Sequence, residues 1–321
     1  MNKNKASVLL SIVIVTRNRS ADMINCLNKL KLSTFKEFKV IVVDQSDIKE
    51  KDSNIFNLVK ELNGKYLKSN LKGKSRGLNE ALKFCSSEII AFTDDDCLPD
   101  KNWAKTIYKT FSDLPQVAGI FGRTLPHDPK RHKKLICVCT FLKKRPRFIN
   151  KPVFHAEGLG FGNNMAFKSS VFKQIGGFKE WLGPGSIGSN AEDADFSMRV
   201  LLNNKIIYFT PKMTVFHNRW LTSNEFKNQQ LSYICGEFAC YGYFALQGKK
   251  FAYRILKKSL KRIFTNISEL FNSLKNLQPD SYLLFLDLII KIIYIIRGIS
   301  VALFFTLKKL KHAQPENRIL Y

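Results

Sequence analysis

The chain has 321 residues, and its 52 Lys and Arg residues against 26 Asp and Glu residues give a formal net charge of +26. A hydrophobic fraction of 45% is enough for a full core in one large domain or two modest ones, which excludes a disordered chain and a collagen-like repeat. The excess positive charge favours polyanionic partners, namely nucleic acid, an anionic membrane surface or a phosphorylated substrate. Seven scattered cysteines without a C-x-x-C pair indicate neither a disulfide framework nor a zinc ribbon.

The first hundred residues predict strands and helices that alternate, as in an open, doubly wound α/β sheet. The strands are β-branched apolar runs, which is typical of strands buried on both faces, and Ser20 can cap the first helix. The predicted elements are strands at Ser11–Val15, Lys39–Val43 and Glu88–Phe92, a helix beginning at Ser20, and helices over Ile55–Leu62 and Ser75–Cys85.

Polar residues follow each of these strands. Thr16-Arg17 follows the first strand, Asp44 the second, and Asp94-Asp95-Asp96 the third. Ligands of open α/β sheets bind at the carboxyl ends of the strands. Three adjacent carboxylates repel one another unless a cation lies between them, and a divalent ion with a diphosphate is a natural partner. The alternative for the triplet alone is a solvated loop with N-capping aspartates.

A second acidic site follows about a hundred residues later. Glu192 and Asp193 begin a predicted helix, directly after the small-residue loop Leu182–Gly188. Carboxylates at a helix N-terminus are commonly cap and dipole partners, but the flexible loop before them favours a general base beside a substrate. A strand at Ile206–Phe209 and the segment Thr214–His217 complete this half of the chain.

Two regions carry most of the excess of positive over negative charge. Residues 126–152 contain nine Lys and Arg and one Asp, and predict a basic surface loop. Residues 247–321 contain 14 basic and four acidic residues, with a basic amphipathic helix expected from Phe251 to Leu274. Tyr282–Leu307 is mostly apolar and is interrupted by Asp287, Lys291 and Arg297. The tail is compatible with a helix that spans a bilayer, one that lies in its surface, or an extension packed on the rest of the chain.

Motifs in a fixed order connect these features between Ser11 and Asn218, about two-thirds of the chain. They are Ser11–Arg19, Val42–Asp44, Gly73–Asn79, Phe92–Asp96, Gly162–Phe167, Gly176–Phe178, Leu182–Gly185, Glu192–Arg199 and Pro211–His217. The ordered set resembles the family 2 glycosyltransferases. The resemblance implies the α/β GT-A fold with a Rossmann-like central sheet. Together with the change in composition after residue 246, this predicts a GT-A catalytic domain over residues 1–246 and a C-terminal helical, membrane-associating extension over residues 247–321.

The resemblance also implies a role for individual residues. Residues expected against the nucleotide sugar are Thr16, Arg17, Asp44, Arg76, Asp94 and Asp95. Asp94 and Asp96 would be the D-x-D pair that holds Mn²⁺ or Mg²⁺, with His217 as a further ligand or, alternatively, a satisfied core histidine. Asp193, with Glu192 beside it, would be the general base for transfer with inversion. One departure is Leu78, where many members have Arg, which puts the role of Arg76 in doubt.

Two other interpretations compete with this one. Gly73-Lys74-Ser75 resembles the end of a P-loop, but the required first glycine would fall at Lys68. A nucleic-acid-binding protein without transferase activity is the alternative suggested by charge, although aromatic residues suited to stacking are sparse in the basic insertion. We therefore expect a nucleotide-sugar donor, a glycan or lipid-linked acceptor, an anionic membrane surface and no nucleic acid as partners, at the cytoplasmic face of the cell membrane.

Overall fold

The computed structural model describes residues 8–48, 52–154, 158–263 and 281–313. Contacts divide the chain into two compact units, Met1–Glu180 with Glu192–Phe226, and Trp181–Ala191 with Lys227–Tyr321. The contacts thus change at Phe226, whereas the composition changes after residue 246. The division into a domain of residues 1–246 and a tail of residues 247–321 stays a prediction.

The described elements of the first unit include both strands and helices, and those that begin after Leu221 are all helices. The strands are β1 (Leu10–Thr16), β2 (Phe38–Asp44), β3 (Lys65–Lys68), β4 (Ile89–Thr93), β5 (Cys97–Pro99), β6 (Val117–Pro126), β7 (Ile136–Cys137), β8 (Arg147–Ile149), β9 (Asn164–Lys168), β10 (Ile206–His217) and β11 (Trp220–Leu221). The helices are α1 (Ser20–Lys31), α2 (Ser53–Glu61), α3 (Lys74–Leu82), α4 (Trp103–Asp113), α5 (Ser169–Ile175), α6 (Glu192–Leu202), α7 (Ser223–Leu246), α8 (Lys250–Ile263) and α9 (Ser281–Ala313).

A nine-stranded mixed sheet forms the centre of the first unit, in the order β3-β2-β1-β4-β9-β6-β10-β5, with β8 paired to β10. The first four strands are parallel. Strand β9 is antiparallel to both β4 and β6. The predicted open α/β sheet is confirmed. Its parallel pairs are β3-β2-β1-β4 within the first hundred residues and β6-β10 further along the chain.

Helices cover both faces of the parallel strands, as their continuous apolar sequences predict. One core cluster unites Ile12 and Ile14 of β1 with Met23 and Leu27 of α1 and with residues of α2 and α4. Helix α3 packs against β1 on the other side, where a Cβ on Gly77 would lie 2.7 Å from a methyl group of Val15. Only glycine allows this close approach.

Several details differ from the predictions. Ser20 is the first residue of α1 and not its cap, because its hydroxyl donates to Asp52. The basic insertion is not all loop, since β7 and β8 lie inside it. The two segments expected at Ile206–Phe209 and Thr214–His217 are one strand, β10, with an irregularity between Thr210 and Thr214. Strands β3 and β5 were not predicted, because three or four residues carry little periodicity.

The second unit is helical. Helices α7 and α9 approach closely, since a Cβ on Gly298 would lie 2.5 Å from the carbonyl oxygen of Cys235 and 3.0 Å from the amide nitrogen of Ala239. Helix α8 packs through Phe251 and Ile255 and leaves its basic side exposed. The part of the predicted amphipathic helix from 264 to 274 lies outside the described residues. Among the described residues, one helix is long and apolar enough to cross a membrane, Leu284–Lys311.

Candidate active site

Strand register collects the predicted polar residues at one edge of the sheet. Thr16, the last residue of β1, lies opposite Asp44, the last residue of β2. Strand β4 pairs with β1 on its other side and ends at Thr93, so the acidic triplet follows directly. The Thr16 hydroxyl donates a 2.7 Å hydrogen bond to Asp95. Thr16 and the triplet are therefore together, as the sequence predicts.

Two of the three aspartates are buried and bind a cation of the chain itself. Asp95 and Asp96 are each 5% exposed. A single guanidinium nitrogen of Arg19, Nη1, lies 3.1 Å from Asp95 Oδ1 and 2.6 Å from Asp96 Oδ2. Burial and the charge of Asp96 raise the pKa of Asp95 to about 7. Burial would also raise the pKa of Asp96, but His217 and Arg19 outweigh it and hold that pKa below its ordinary value.

His217 lies beside Asp96 because of strand pairing. Strand β10 pairs antiparallel with β5, and His217 lies opposite Cys97. The His217 Nε2 is 3.0 Å from Asp96 Oδ1, and its Nδ1 is 2.6 Å from the Val138 carbonyl oxygen, to which it can donate. Burial would lower the pKa of His217, but the hydrogen bond to Asp96 raises it well above its ordinary value.

The geometry of this pair fits a hard divalent ion. Candidate ligand atoms of Asp96, Cys97 and His217 all lie within 4.8 Å of one another. Ligands 2.0–2.1 Å from an octahedral ion are about 3.0 Å from their neighbours, which matches the Asp96–His217 distance. A ring N–H donated to a backbone carbonyl is the usual support of a metal-binding histidine. Burial raises the pKa of the Cys97 thiol, which leaves a carboxylate, the donor that Mn²⁺ and Mg²⁺ prefer, and an imidazole that would exchange its hydrogen bond to Asp96 for the ion.

Asp44 lies in a pocket of hydrogen-bond donors at the end of β2. The Ser46 amide donates to Asp44 Oδ1 at 2.8 Å, and Lys68 Nζ is 3.1 Å from Oδ2, which also accepts from the Tyr66 hydroxyl. Burial would raise the pKa of Asp44, but these hydrogen bonds outweigh it and lower that pKa. A carboxylate has about four acceptor positions, and the Ser46 side chain is a further donor beside these three, so a nucleotide hydroxyl or base N–H would have to replace one of them.

The two predicted arginines lie near the surface. Arg17 pairs with Asp47 at 3.3 Å, and Lys72 reaches the same carboxylate at 2.8 Å. Arg76 lies 3.6 Å from Glu180, and both side chains are about half exposed. Neither arginine has a described ion pair with the acidic triplet.

Lys74 is a site residue that the sequence analysis missed. Its ammonium lies 2.6 Å from Asp94 Oδ1 and 3.4 Å from Glu192 Oε1. Burial would lower the pKa of Lys74, but the two carboxylates outweigh it and raise the pKa well above its ordinary value. Lys74 lies one helical turn before Leu78, the position where the family pattern has Arg, so the two residues lie on the same face of α3. This spacing could have identified Lys74 from the sequence.

Arg19 was missed as well, although it ends the first motif. A second arginine, Arg219, approaches Asp96 at 3.9 Å. Long side chains such as these find their partners only in the folded chain, because four rotatable bonds give one residue many reachable positions.

Glu192 and Asp193 begin α6 and differ in their contacts. Asp193 Oδ2 accepts from the Gly162 amide at 2.5 Å, and Oδ1 accepts from the Ala194 amide at 2.8 Å. Glu192 is 3% exposed, and its Oε2 accepts no hydrogen bond from the residues that the structure describes. Burial and the neighbouring Asp193 raise the pKa of Glu192 to about 7, despite the opposing charge of Lys74.

Side-chain braces fix this helix. Arg199 of α6 donates to Asp195 and to the carbonyl oxygens of Ile175 and Gly177, each at 2.8 Å. Phe196 stacks on Phe172 with ring centroids 4.6 Å apart. These contacts explain why the acidic pair at the start of α6 has a defined place.

Comparison with known proteins identifies the family of the chain. The model of glycosyl transferase family 2 matches residues 11–176, which is just over half of the chain. The sequence is similar to the glucosyl-dolichyl phosphate glucuronosyltransferase of Haloferax volcanii, with 20% identity over 154 residues. That match covers 43% of this chain and 45% of the relative, so it spans less than half of the relative's length.

Solved structures share the fold. The mannosyltransferase PcManGT from Pyrobaculum calidifontis, in complex with GDP-Man and Mn²⁺, is 14% identical with a TM-score of 0.58, covering 94% of this chain and 88% of that one. S. aureus TarS 1-349 with UDP-GlcNAc is 18% identical with a TM-score of 0.51, covering 80% and 73%. The expected GT-A fold is confirmed. Because the family model matches more than half of the sequence, the chain belongs to glycosyl transferase family 2.

Proposed function

We propose that this protein transfers a sugar from a nucleotide-diphosphate sugar to an acceptor hydroxyl, with inversion and with the help of Mn²⁺ or Mg²⁺. The acceptor is a glycan or a lipid-linked glycan at the cytoplasmic face of a membrane, in the assembly of a surface polysaccharide or glycolipid. The donor class follows from the family, whose solved relatives bind GDP-Man and UDP-GlcNAc.

One observation carries the proposal. The Lys74 ammonium reaches both Asp94 and Glu192, which are 98 residues apart in sequence. The two acidic sites therefore lie within the reach of one side chain, close enough to act on the two ends of one reacting bond.

On the donor side, Asp94, Asp96 and His217 would hold the divalent ion. Such an ion stabilises the negative charge that develops on the departing diphosphate, so no protein acid is needed there. Arg19 and Lys74 add positive charge beside the same carboxylates. Asp44, Thr16 and Arg17 lie at the strand ends, where the nucleoside would bind.

On the acceptor side, Asp193 is the proposed base. The amides of Gly162 and Ala194 fix the position of its carboxylate. The acceptor hydroxyl gives its proton to Asp193 as its oxygen forms a bond to the anomeric carbon. The bond from that carbon to the phosphate oxygen breaks, and its electron pair leaves with the nucleoside diphosphate. Attack from the opposite face inverts the anomeric centre.

The membrane location rests on two observations. Helix α9 contains a stretch long and apolar enough to cross a membrane, and the relative from Haloferax volcanii is by its name an enzyme of a dolichyl phosphate-linked sugar. The competing nucleic-acid hypothesis gains little support from the basic insertion. Of its two phenylalanines, Phe141 is buried and packs on Phe209 at 5.2 Å, which removes it from any stacking surface.

The proposal is tested by nucleotide release over a panel of UDP-, GDP- and dTDP-sugars with Mn²⁺. We expect Asp193→Asn to lower kcat by roughly 10²–10⁴-fold, because it removes a general base, with little change in nucleotide binding. Asp96→Asn should lower both turnover and Mn²⁺ affinity. Asp113→Asn, at an exposed helix end, is the matched control. Full activity of both site variants would contradict the mechanism, and a product that retains the anomeric configuration would contradict inversion.

A further inference from the structure

Helix α9 has an apolar face that is exposed along almost its whole length. Exposed apolar residues follow one another at intervals of three or four, which places them in one row along the helix. The row is Phe285, Ile289, Ile292, Ile296, Ile299, Leu303, Leu307 and Leu310. From its first to its last residue the row is about 38 Å long, at 1.5 Å per residue. Exposed apolar surface of this extent indicates an interaction site.

The charged residues of α9 lie away from this row. Between Phe285 and Leu310 they are Asp287, Lys291, Arg297, Lys308 and Lys309. At about 100° per residue, each lies roughly 110° or more around the helix from the centre of the row. Two of them are also paired, since Lys291 and Asp287 are 2.6 Å apart. The row itself therefore carries no charge, while the exposed Ile290, Ile293 and Phe304 lie on the same flank as Arg297 and Lys308.

Another side of the helix, roughly 60–140° around from the row, is covered by protein of the same unit. Ile295, Gly298, Ala302 and Thr306 are buried, at intervals of three and four residues. Gly298 approaches the backbone of α7 at Cys235 and Ala239, and a Cβ on Gly242 of α7 would lie 3.1 Å from Ala302. Small residues at these positions allow the two helices to pack closely along several turns.

A position across the bilayer conflicts with Arg297. This residue lies at the middle of the candidate span Leu284–Lys311, so a spanning helix would bring its guanidinium to the centre of the hydrocarbon. A charge at that depth is strongly unfavourable. Arg297 instead reaches toward the Ile187 carbonyl oxygen, 3.4 Å away, on a flank of the helix.

Positive charge accompanies the apolar face. Lys308, Lys309 and Lys311 are exposed at the end of α9. In α8, the apolar residues pack inside the unit, so that Arg254 and Lys257 are exposed on the remaining side. Basic residues near an apolar helix face are complementary to anionic lipid headgroups.

We propose that α9 lies in the plane of an anionic membrane, with the row from Phe285 to Leu310 immersed in one leaflet and α7 packed on its other side. The inference deepens the membrane location given under the proposed function and rests on it. The occupant of the apolar face is the lipid of a single leaflet, and the helix enters and leaves the membrane on the same side.

Flotation of the full chain with vesicles tests the lipid contact. Wild type should float with vesicles that contain phosphatidylglycerol, and less with pure phosphatidylcholine or at high salt. The double variant Ile296→Glu with Leu303→Glu should lose at least tenfold in partitioning. Leu142→Glu, at an exposed apolar position of the first unit, is the matched control and should float as wild type.

Depth measurements distinguish the in-plane helix from a spanning one. Tryptophan is introduced singly at Phe285, Ile296 and Leu307, and its quenching by brominated lipids is compared with the wild-type protein as the blank. An in-plane helix gives the same depth at all three positions. A spanning helix gives a much deeper tryptophan at Ile296 than at the other two.

The outcomes separate the two levels of the proposal. If wild type does not float, the membrane location is wrong and the inference fails with it. If wild type floats and Ile296→Trp is far deeper than its neighbours, only the in-plane orientation is wrong. A third outcome is that wild type forms a dimer in buffer, that the double Glu variant is a monomer, and that neither floats. This result would assign the apolar face to a second copy of the chain and overturn the lipid proposal.

Discussion

The acidic triplet of the first unit and helix α9 of the second unit differ in which side chains are buried and which are exposed. Asp95 and Asp96 are buried, and Arg19, His217 and Thr16 satisfy them with short contacts. In α9 the apolar residues are exposed, and the charges lie on the flanks and on the covered side. Charge buried inside a protein is retained where a ligand will use it, whereas apolar surface left outside needs a partner of its own.

The largest expected difference between the two regions is the loss of stability when a phenylalanine side chain is removed. Phe196→Ala should lower the free energy of unfolding by about 3–5 kcal/mol, because the ring is fully buried in the aromatic cluster behind Glu192 and Asp193. Phe285→Ala removes the same side chain from an exposed position, where about 0.5 kcal/mol or less is expected. Urea denaturation of both variants measures this. Equal losses would show that the face of α9 is covered within the chain.

Glu192 predicts a pH dependence of stability. Its pKa is raised to about 7 by burial, so its contribution to stability is complete below the ordinary value of 4.5 and is lost as the pH rises through 7. The full effect is up to about 3 kcal/mol. Glu192→Gln should flatten the decline in Tm between pH 5 and pH 8, measured against Glu61→Gln, an exposed control. The raised pKa of Asp95 lowers stability with rising pH in the same way, so part of the decline in Tm remains in the Glu192→Gln variant. An unchanged slope would contradict a buried Glu192.

Arg19→Gln leaves two buried carboxylates without their shared cation. Breaking a buried ion pair costs about 3–5 kcal/mol, and we expect about 1–3 here because Arg19 is 31% exposed and water can partly replace it. Mn²⁺ should restore more of the lost Tm in this variant than it adds to wild type, since it supplies the missing charge. Arg145→Gln, on an exposed loop, should change neither value. A variant as stable as wild type without metal would mean that Arg19 does not neutralise the triplet.

The smallest expected effect belongs to the second unit. Lys257→Gln removes one exposed positive charge from α8 and should weaken binding to anionic vesicles by about 1 kcal/mol, close to fivefold. High salt should abolish the difference from wild type. Lys109→Gln, exposed on α4, is the control. A salt-independent loss would indicate a defect in packing and not in electrostatic attraction.

Much of the first unit was predictable. The β-branched runs fixed β1, β2 and β4, and the polar residues directly after them marked the edge of the sheet that holds the site. Short strands were not predictable, since β3 and β5 have too few residues for a period, although β5 is the strand that brings His217 to Asp96. The sequence also did not show whether Arg76 or Lys74 contacts the acidic residues of the site. That depends on which face of α3 meets the sheet, and in the structure it is Lys74 that reaches Asp94.

The tail, residues 247–321, was likewise predictable from the sequence only in part. The order of residues alone shows that residues 247–321 contain basic and apolar groups in turn, and that three charged residues interrupt the apolar stretch. The packing of the folded chain adds that α8 buries an apolar side inside the unit, whereas α9 keeps an apolar side exposed. Composition gives the number of charged and apolar residues in a helix. Which of its sides becomes buried depends on the element that packs against it. Gly298 and Ala302 determine that choice through their close contact with α7.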